Sequence, residues 1–335
     1  MLRLALPSKG ELEEPTLVFL KACGLSVNRP NSRQYTARVP ALHKATVLFQ
    51  RAADIAAKVE EGSADIGITG LDTVRELTHD DSNCAVLVED LDYGQCDLVV
   101  AVPETWIDVT SMADLVELSE EMRAKSTELR IATKFPRMTR QYFLSKGLNF
   151  FSLVASTGAM EVAPTMGFAD IIVDLTSSGT TLRENGLRTL SDGMLLRSQA
   201  CLIGNLRCLR DKPKALEDTK LMLEMMESHL RAEQYYSVTA NVQGATSESV
   251  AEAVMRQPEV AGIRGPTVSK VYSRYGMEQN WYAVTVVVRK DDLTCAVEHL
   301  RTMGGGSVTV YAPKYVFEAE SEMYRRLLDA LDKVI

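Results

Sequence analysis

Two stretches of this chain repeat one another. Residues 2–5 read L-R-L-A and residues 129–132 read L-R-I-A. Each is a short apolar strand leading to a helix, and the helices carry FLKACGL (19–25) and FLSKGL (143–148). Further on, GSADI (62–66) recurs as GFADI (167–171), in both places a helix ending at a glycine before a buried strand. A turn with Thr and Gly and another helix follow each time, ITGLDTVREL (68–77) and TSSGTTLREN (176–185). Two matches in the same order predict two α/β lobes of related construction. Strands CAVLVED (84–90) and DLVVAVP (97–103) carry the chain across through Tyr93 and Gly94. One strand, MLLRSQACLIGN (194–205), carries it back. A molecule of this kind binds its ligand in the cleft between lobes.

The expected division is 1–95 with 193–211 for lobe one, 96–192 for lobe two, a linker helix at 212–234, a separate domain at 235–313 and a helical tail at 314–335. The separate domain reads β-α-β-β-α-β: YSVTANV (236–242), SESVAEAVMRQ (247–257) capped by Ser247, TVSKVYS (267–273), WYAVTVVVRK (281–290), DDLTCAVEHLRTM (291–303) capped by Asp291 and stopped by Gly304, then SVTVYA (307–312). That order is the ferredoxin-like split unit, a frequent shape for small regulatory domains. Residues 104–128 read as a solvated amphipathic helix inserted at the surface, and LMLEMM (221–226) as core or subunit contact.

Chemistry concentrates in ADIIVDLTSSGTTLRENG (169–186). Ile171, Ile172 and Val173 form a buried strand ending at Asp174. Thr176, Ser177, Ser178, Gly179, Thr180 and Thr181 follow. Thr181 and Glu184 have capping-box spacing, and Asn185 and Gly186 end the helix within about one turn. A strand, a hydroxyl-rich turn and a helix N-terminus offer a phosphate inward amides, hydroxyls and partial positive charge. No Lys follows the glycine, so this is not a Walker A loop. An ordinary capped βα turn would look similar, but Asp174 tips the balance. A carboxylate beside a phosphate needs its own partner, either ribose hydroxyls or a metal on a second phosphate group.

The net charge of −8 argues against nucleic acid or an anionic membrane as partner. No run is long enough to span a bilayer, and the short apolar start, followed at once by Glu11, Glu13 and Glu14, is no signal peptide. Six scattered cysteines and four distant histidines predict reduced thiols in a cytoplasmic protein, without a zinc site. Positive charge must therefore be local. Lobe one offers Lys9 in a P-S-K-G turn and Arg51 after the strand TVLFQ (46–50), with Arg33 and Arg38 near; lobe two offers the 174–181 cradle and Glu161. A cradle, carboxylates for hydroxyls and cations for a second phosphate group fit a phosphorylated sugar. No Ser-His-Asp or Cys-His constellation is visible, and displacing pyrophosphate from an activated ribose needs no covalent nucleophile.

PSKG (7–10), DIGITG (65–70), EVAPTMGFAD (161–170), VDLTSSGTTLRENGL (173–187) and the trailing small domain resemble the long form of ATP phosphoribosyltransferase, over nearly the whole chain. The resemblance implies two periplasmic-binding-protein-like lobes with a C-terminal ferredoxin-like regulatory domain. It implies Mg2+-dependent transfer of phosphoribosyl from phosphoribosyl pyrophosphate to N1 of ATP, the first step of histidine biosynthesis, with histidine as feedback inhibitor and a homo-oligomer, dimer or hexamer. The 176–181 loop would hold the 5-phosphate. Asp174 and Glu161 would face ribose hydroxyls or the metal, and Lys9 and Arg51 pyrophosphate or ATP phosphates. ATP contacts would include Lys9, Arg33, Gly70 and Leu71. Histidine contacts fall around Gly244, Ala245, Thr246, Ser247, Pro266 and Thr267, where helix capping and turn chemistry are equally good explanations. The rival readings are a non-catalytic solute-binding protein with two lobes, a phosphoribosyltransferase that uses a free base, and a catalytically dead regulatory subunit that only senses a metabolite, against which the intact cradle argues.

Overall fold

The computed structural model describes residues 1–31, 34–79, 82–155, 160–272 and 280–333. The chain forms two compact units, 1–220 with 326–335, and 221–325.

The first unit opens with β1 (Leu2–Pro7), α1 (Glu13–Ala22), β2 (Thr36–Arg38), β3 (Ala45–Gln50), α2 (Ala52–Glu60), β4 (Ile66–Gly70), α3 (Leu71–Leu77) and β5 (Cys84–Val88). It continues with β6 (Cys96–Pro103), α4 (Met112–Ala124), β7 (Leu129–Thr133), α5 (Pro136–Ser145), β8 (Phe151–Ala155), β9 (Ile171–Thr176), α6 (Thr180–Glu184) and β10 (Leu187–Ser198). β11 (Ala200–Asn205) and α7 (Leu206–Asp211) follow, and α8 (Pro213–Ala232) continues past residue 220 into the second unit. One sheet has the order β2-β3-β1-β4-β11-β5 and the other β8-β7-β9-β6-β10. Apart from the short edge strand β2, they are one design used twice. β3-β1-β4 and β8-β7-β9 are parallel, and each is followed by one antiparallel strand borrowed from the far side of a crossing, β11 in the first and β6 in the second. This is the expected pair of periplasmic-binding-protein-like lobes.

The sequence repeat has a direct structural cause. Arg3 on β1 grips Asp65, which precedes β4: its backbone N–H reaches Oδ2 at 2.8 Å, its guanidinium reaches Oδ1 at 2.7 Å and the Gly62 carbonyl at 2.6 Å. Arg130 on β7 grips Asp170 before β9 with the same set of bonds, at 2.8 Å to Oδ2, 2.8 Å to Oδ1 and 2.8 Å to the Gly167 carbonyl. The repeated words L-R-x-A and G-x-A-D are the two halves of one clasp that ties neighbouring parallel strands.

The lobes differ between the clasp halves. α2 runs from Ala52 to Glu60 and stops at Gly62, whose φ is +73°. The helix expected before Gly167 is instead a run of turns over 161–167. Pro164 lacks the N–H that a continuing helix would need there. The return crossing also differs from a single strand: it breaks at Gln199 into β10, on the second sheet, and β11, on the first. The two crossings are bonded to each other, Leu91 N–H to the Ala200 carbonyl at 3.0 Å and Ala200 N–H to that of Tyr93 at 2.9 Å. Helix α4 is less of an appendage than expected. Ser111 and Asp114 form a capping box, and Met112 and Leu115 are buried in the core of lobe two with Leu98, Ile131 and Phe143.

The second unit is β12 (Tyr235–Gln243), α9 (Ser247–Met255), β13 (Thr267–Val271), β14 (Trp281–Arg289), α10 (Leu293–Thr302) and β15 (Gly306–Tyr311), with α11 (Glu322–Leu331) after it. The sheet order β13-β14-β12-β15, antiparallel throughout, is ferredoxin-like as expected. Alternation along β12 and β14 sends Val238, Ala240, Val242, Val284, Val286 and Val288 into one core. Two caps shift by a residue or more. Thr246, not Ser247, caps α9, in a capping box with Ser249. Asp291 lies in a 3-10 turn over 290–292 instead of capping α10.

Candidate active site

Lobe two gathers the second half of the proposed site at the carboxyl end of its parallel strands. Buried Ile171, Ile172 and Val173 hold β9 in the sheet, and Asp174, half-buried, is where it emerges. Asp174 Oδ1 accepts the Leu175 N–H at 2.9 Å. Burial raises its pKa above the ordinary carboxylate value; the Leu175 N–H and Lys134 oppose this, and Glu161 adds to it. Glu161, in the turns of 161–167, is thus close enough for its charge to act on Asp174. Two carboxylates in partial burial call for cations or hydroxyl donors. Among the described residues no cluster of three or more His, Cys, Asp or Glu side chains forms a ready metal cage.

The turn after Asp174 is built by its own hydroxyls. Thr176 Oγ1 accepts the Gly179 N–H at 2.9 Å, and Gly179 takes φ +70°, a left-handed conformation that suits glycine. Ser178 Oγ donates to Thr180 Oγ1 at 2.9 Å, and Arg183 donates to the same oxygen at 3.2 Å. The Thr181–Glu184 capping box does not form: α6 starts at Thr180, and no side chain caps it. Gly179 already turns the chain sharply at that point, so Thr181 lies inside the helix rather than at its cap. Ser177, Ser178, Thr180 and Thr181 are exposed, and the turn is open to a ligand.

Lobe one presents Lys9 and Arg51 on neighbouring strand ends, joined by the Ser8 N–H to Gln50 carbonyl bond at 2.7 Å. Both side chains are exposed. Gly10 has φ +84° with open space around it, which keeps the backbone beside Lys9 accessible. Arg38 is exposed at the end of β2, and Arg33 lies outside the described residues. Gly70 and Leu71 are buried. The Leu71 N–H donates to the Gln199 carbonyl at 2.9 Å, and the Asp72 N–H to Ser198 Oγ at 2.9 Å. This turn is therefore tied to the return crossing.

Two cations missing from the sequence-based set stand beside the cradle: Arg183, on the Thr180 hydroxyl, and Lys134, just after β7. The strand-end position of Lys134 in the repeat was the available signal. A pocket of about 650 Å³ lies elsewhere, beside α3 and α5, lined in part by Arg75, Arg137, Tyr142 and Leu196. Its arginines are engaged, Arg75 with Glu89 at 3.1 Å and Arg137 with the Glu76 carbonyl at 2.8 Å. The Glu76 carboxylate caps α5 through the N–H groups of Arg137 and Met138, at 2.8 and 3.0 Å, which links the lobes.

In the second unit, Gly244 to Ser247 lead into α9 and Pro266–Thr267 into β13, on which α9 packs. Thr246 and Ser249 bond each other, the Gly244 N–H meets the Asn280 carbonyl at 3.2 Å, and Ser247 Oγ meets Glu248 at 3.0 Å. Capping and turn bonds thus account for this segment as the structure stands.

The family model for ATP phosphoribosyltransferase matches residues 51–228, and the one described as HisG, C-terminal domain, matches 232–313. ATP phosphoribosyltransferase 2, chloroplastic, of Arabidopsis thaliana is 38% identical over 334 residues, 98% of this chain and 80% of that protein. ATP phosphoribosyltransferase of Bradyrhizobium diazoefficiens is 36% identical over 326 residues, 97% of this chain and 96% of the other. Among solved structures, a chain of the ATP phosphoribosyl transferase (HisG:HisZ) complex from Thermotoga maritima superposes with a TM-score of 0.52 at 28% identity, over 68% of this chain and 96% of that one.

Proposed function

This chain belongs to the ATP phosphoribosyltransferase family, the pentosyltransferases that open histidine biosynthesis, and from that premise we propose how its residues divide the reaction. The carrying observation is the half-buried Asp174 immediately followed by an exposed hydroxyl turn. The turn at 176–181 holds the 5-phosphate of phosphoribosyl pyrophosphate, with Arg183 adding charge. Asp174 and Glu161 face the ribose hydroxyls or a divalent cation. Lys9 and Arg51, on the other lobe, meet pyrophosphate or the phosphates of ATP.

The chemistry asks for positioning rather than proton abstraction. Adenine N1 carries a neutral lone pair, which forms the bond to C1 as the C1–O bond breaks and its electrons leave with pyrophosphate. The residues' task is to hold the two substrates in line, exclude water and keep negative charge beside a ribose that becomes cationic. Mg2+ fits the donor set: two neighbouring carboxylates and substrate phosphates are its usual surroundings, without a cage made of protein alone. When bound there, the ion adds positive charge at the leaving group.

We read the second unit as the histidine sensor, on the strength of its match to the family's C-terminal domain model. Assembly as a dimer or hexamer completes the proposal. Six free cysteines suit the reducing cytoplasm. Among the described residues no helix is long and apolar enough to cross a membrane.

The test is incubation with Mg2+, ATP and phosphoribosyl pyrophosphate, with pyrophosphatase to draw the reaction forward. ATP gaining one phosphoribosyl group on N1, by mass spectrometry and NMR, is the expected result, and added histidine should slow it. Turnover only with a free base would replace this reading. Thr180→Val should weaken binding of phosphoribosyl pyrophosphate by roughly 1–3 kcal/mol, the usual cost of a lost charged hydrogen bond. Calorimetric titration measures this directly, and unchanged affinity would remove the turn from the site.

A further inference from the structure

We infer that Lys134 is a further substrate-binding residue, the cation that receives the diphosphate end of phosphoribosyl pyrophosphate on lobe two. This rests on the assignment of the 176–181 turn to the 5-phosphate.

Three observations carry it. The first is register. β7 and β9 are parallel neighbours with Thr133 opposite Val173, so the next residues in line are Lys134 and Asp174. Adjacent strands lie about 4.8 Å apart, within easy reach of a lysine side chain. The second is direction. The turn leaves β9 toward α6, which packs on β10, and the sheet order places β10 and β6 on one side of β9 and β7 on the other. Cradle, Asp174 and Lys134 therefore succeed one another across the sheet edge. The substrate has that sequence of groups: a phosphate on C5, ribose hydroxyls, and a diphosphate on C1. With the phosphate on the turn and the hydroxyls at Asp174, the diphosphate falls on the Lys134 side.

The third is availability. Phe135 is buried, and its N–H is held by Thr133 Oγ1 at 3.0 Å, so the backbone around position 134 is fixed. Lys134 itself is exposed and forms no salt bridge with any described residue. An exposed, highly solvated ammonium held next to a carboxylate at a strand end suits a phosphate ligand as a mobile point charge. The need is also plain. Asp174 and Glu161 are both acidic, and a highly anionic substrate beside them calls for positive charge.

The experiment compares three probes by calorimetry: phosphoribosyl pyrophosphate, inorganic pyrophosphate and ribose 5-phosphate. Lys134→Met should weaken the first two by about 10- to 100-fold, the range for a charged hydrogen bond, and leave ribose 5-phosphate unchanged. Lys134→Arg should restore most of the loss. Thermal melting should not move, because the side chain is exposed. Unchanged binding of all three probes, or equal losses on all three, overturns the inference. Thr180→Val should instead weaken ribose 5-phosphate and phosphoribosyl pyrophosphate together. If that variant changes nothing, the cradle itself is misassigned; if it behaves as stated while Lys134→Met binds normally, only the role of Lys134 fails.

Discussion

Asp174→Asn should cut turnover by about 10²- to 10³-fold, the usual loss for a preorganised electrostatic partner, while making the protein harder to unfold. The two effects have one origin. The folded chain partly buries this carboxylate and sets Glu161 near it, which lifts its pKa above 3.8, the ordinary value. A carboxyl that holds its proton more tightly when folded makes the native state bind more protons than the unfolded chain between those two values. Stability therefore falls as pH rises through that window, and the cost persists at neutral pH. Asn keeps the shape and the oxygen that accepts the Leu175 N–H, and it removes the charge. The melting temperature should rise at neutral pH, by about 2–4 °C for each kcal/mol recovered. In the unmodified enzyme, activity should fall on the acid side at a higher pH than an exposed aspartate would give. Scanning calorimetry and a pH–rate profile check both halves. A variant that lost activity and stability together would make Asp174 a structural residue.

Why was so much of the fold readable in the chain itself? The clasp explains it. A buried or half-buried Asp before a strand demands a cation, and Arg one strand away supplies it. The pair was thus kept in both lobes and left two sequence words in the same order. Periodicity did the rest for β12 and β14, where every second residue is buried. The failures are local contests. Pro164 turned an expected helix into turns. Gln199 divided an apolar run that composition alone makes continuous, because its two halves serve different sheets. Asp291 was displaced when the chain took a 3-10 turn ahead of α10.

The candidate site was legible only where it was contiguous. Asp174 and the hydroxyl turn follow one another along the chain, so spacing revealed them. Glu161, too, is only a short step upstream. Lys134 is forty residues from Asp174 in sequence, and only the register of β7 with β9 brings them together. Arg183 was in plain view, but its bond to the Thr180 hydroxyl comes with α6 starting two residues earlier than the capping spacing indicated. Gly70 and Leu71 show the converse. Their motif looks like an open strand-turn, but the amide of Leu71 answers the Gln199 carbonyl from the return crossing.

The two copies of the clasp allow a controlled comparison, since the chemistry is the same and the burial is not. The Asp65 side chain is 0% exposed and receives both Arg3 and, at 2.7 Å, Lys212 Nζ. The Asp170 side chain is 18% exposed, and its partner Arg130 is 43% exposed. Asp65→Asn should therefore destabilise the fold by about 3–5 kcal/mol, because it leaves two cations together in a site built for an anion. Asp170→Asn, screened by water, should cost only about 1 kcal/mol. The bonds from Arg3 and Lys212 outweigh burial and hold Asp65 below its ordinary value of 3.8. A depressed folded value contributes stability above the unfolded value, and that stability is lost as pH falls through the folded one. The gap between wild type and Asp65→Asn should thus be widest near neutrality and narrow in acid. Urea unfolding of both variants, at neutral pH and again near the carboxylate range, measures all of this. Equal costs for the two substitutions would mean that burial does not set the strength of the clasp. A large cost for Asp170→Asn alone would mean that the second lobe, not the first, limits the stability of this unit.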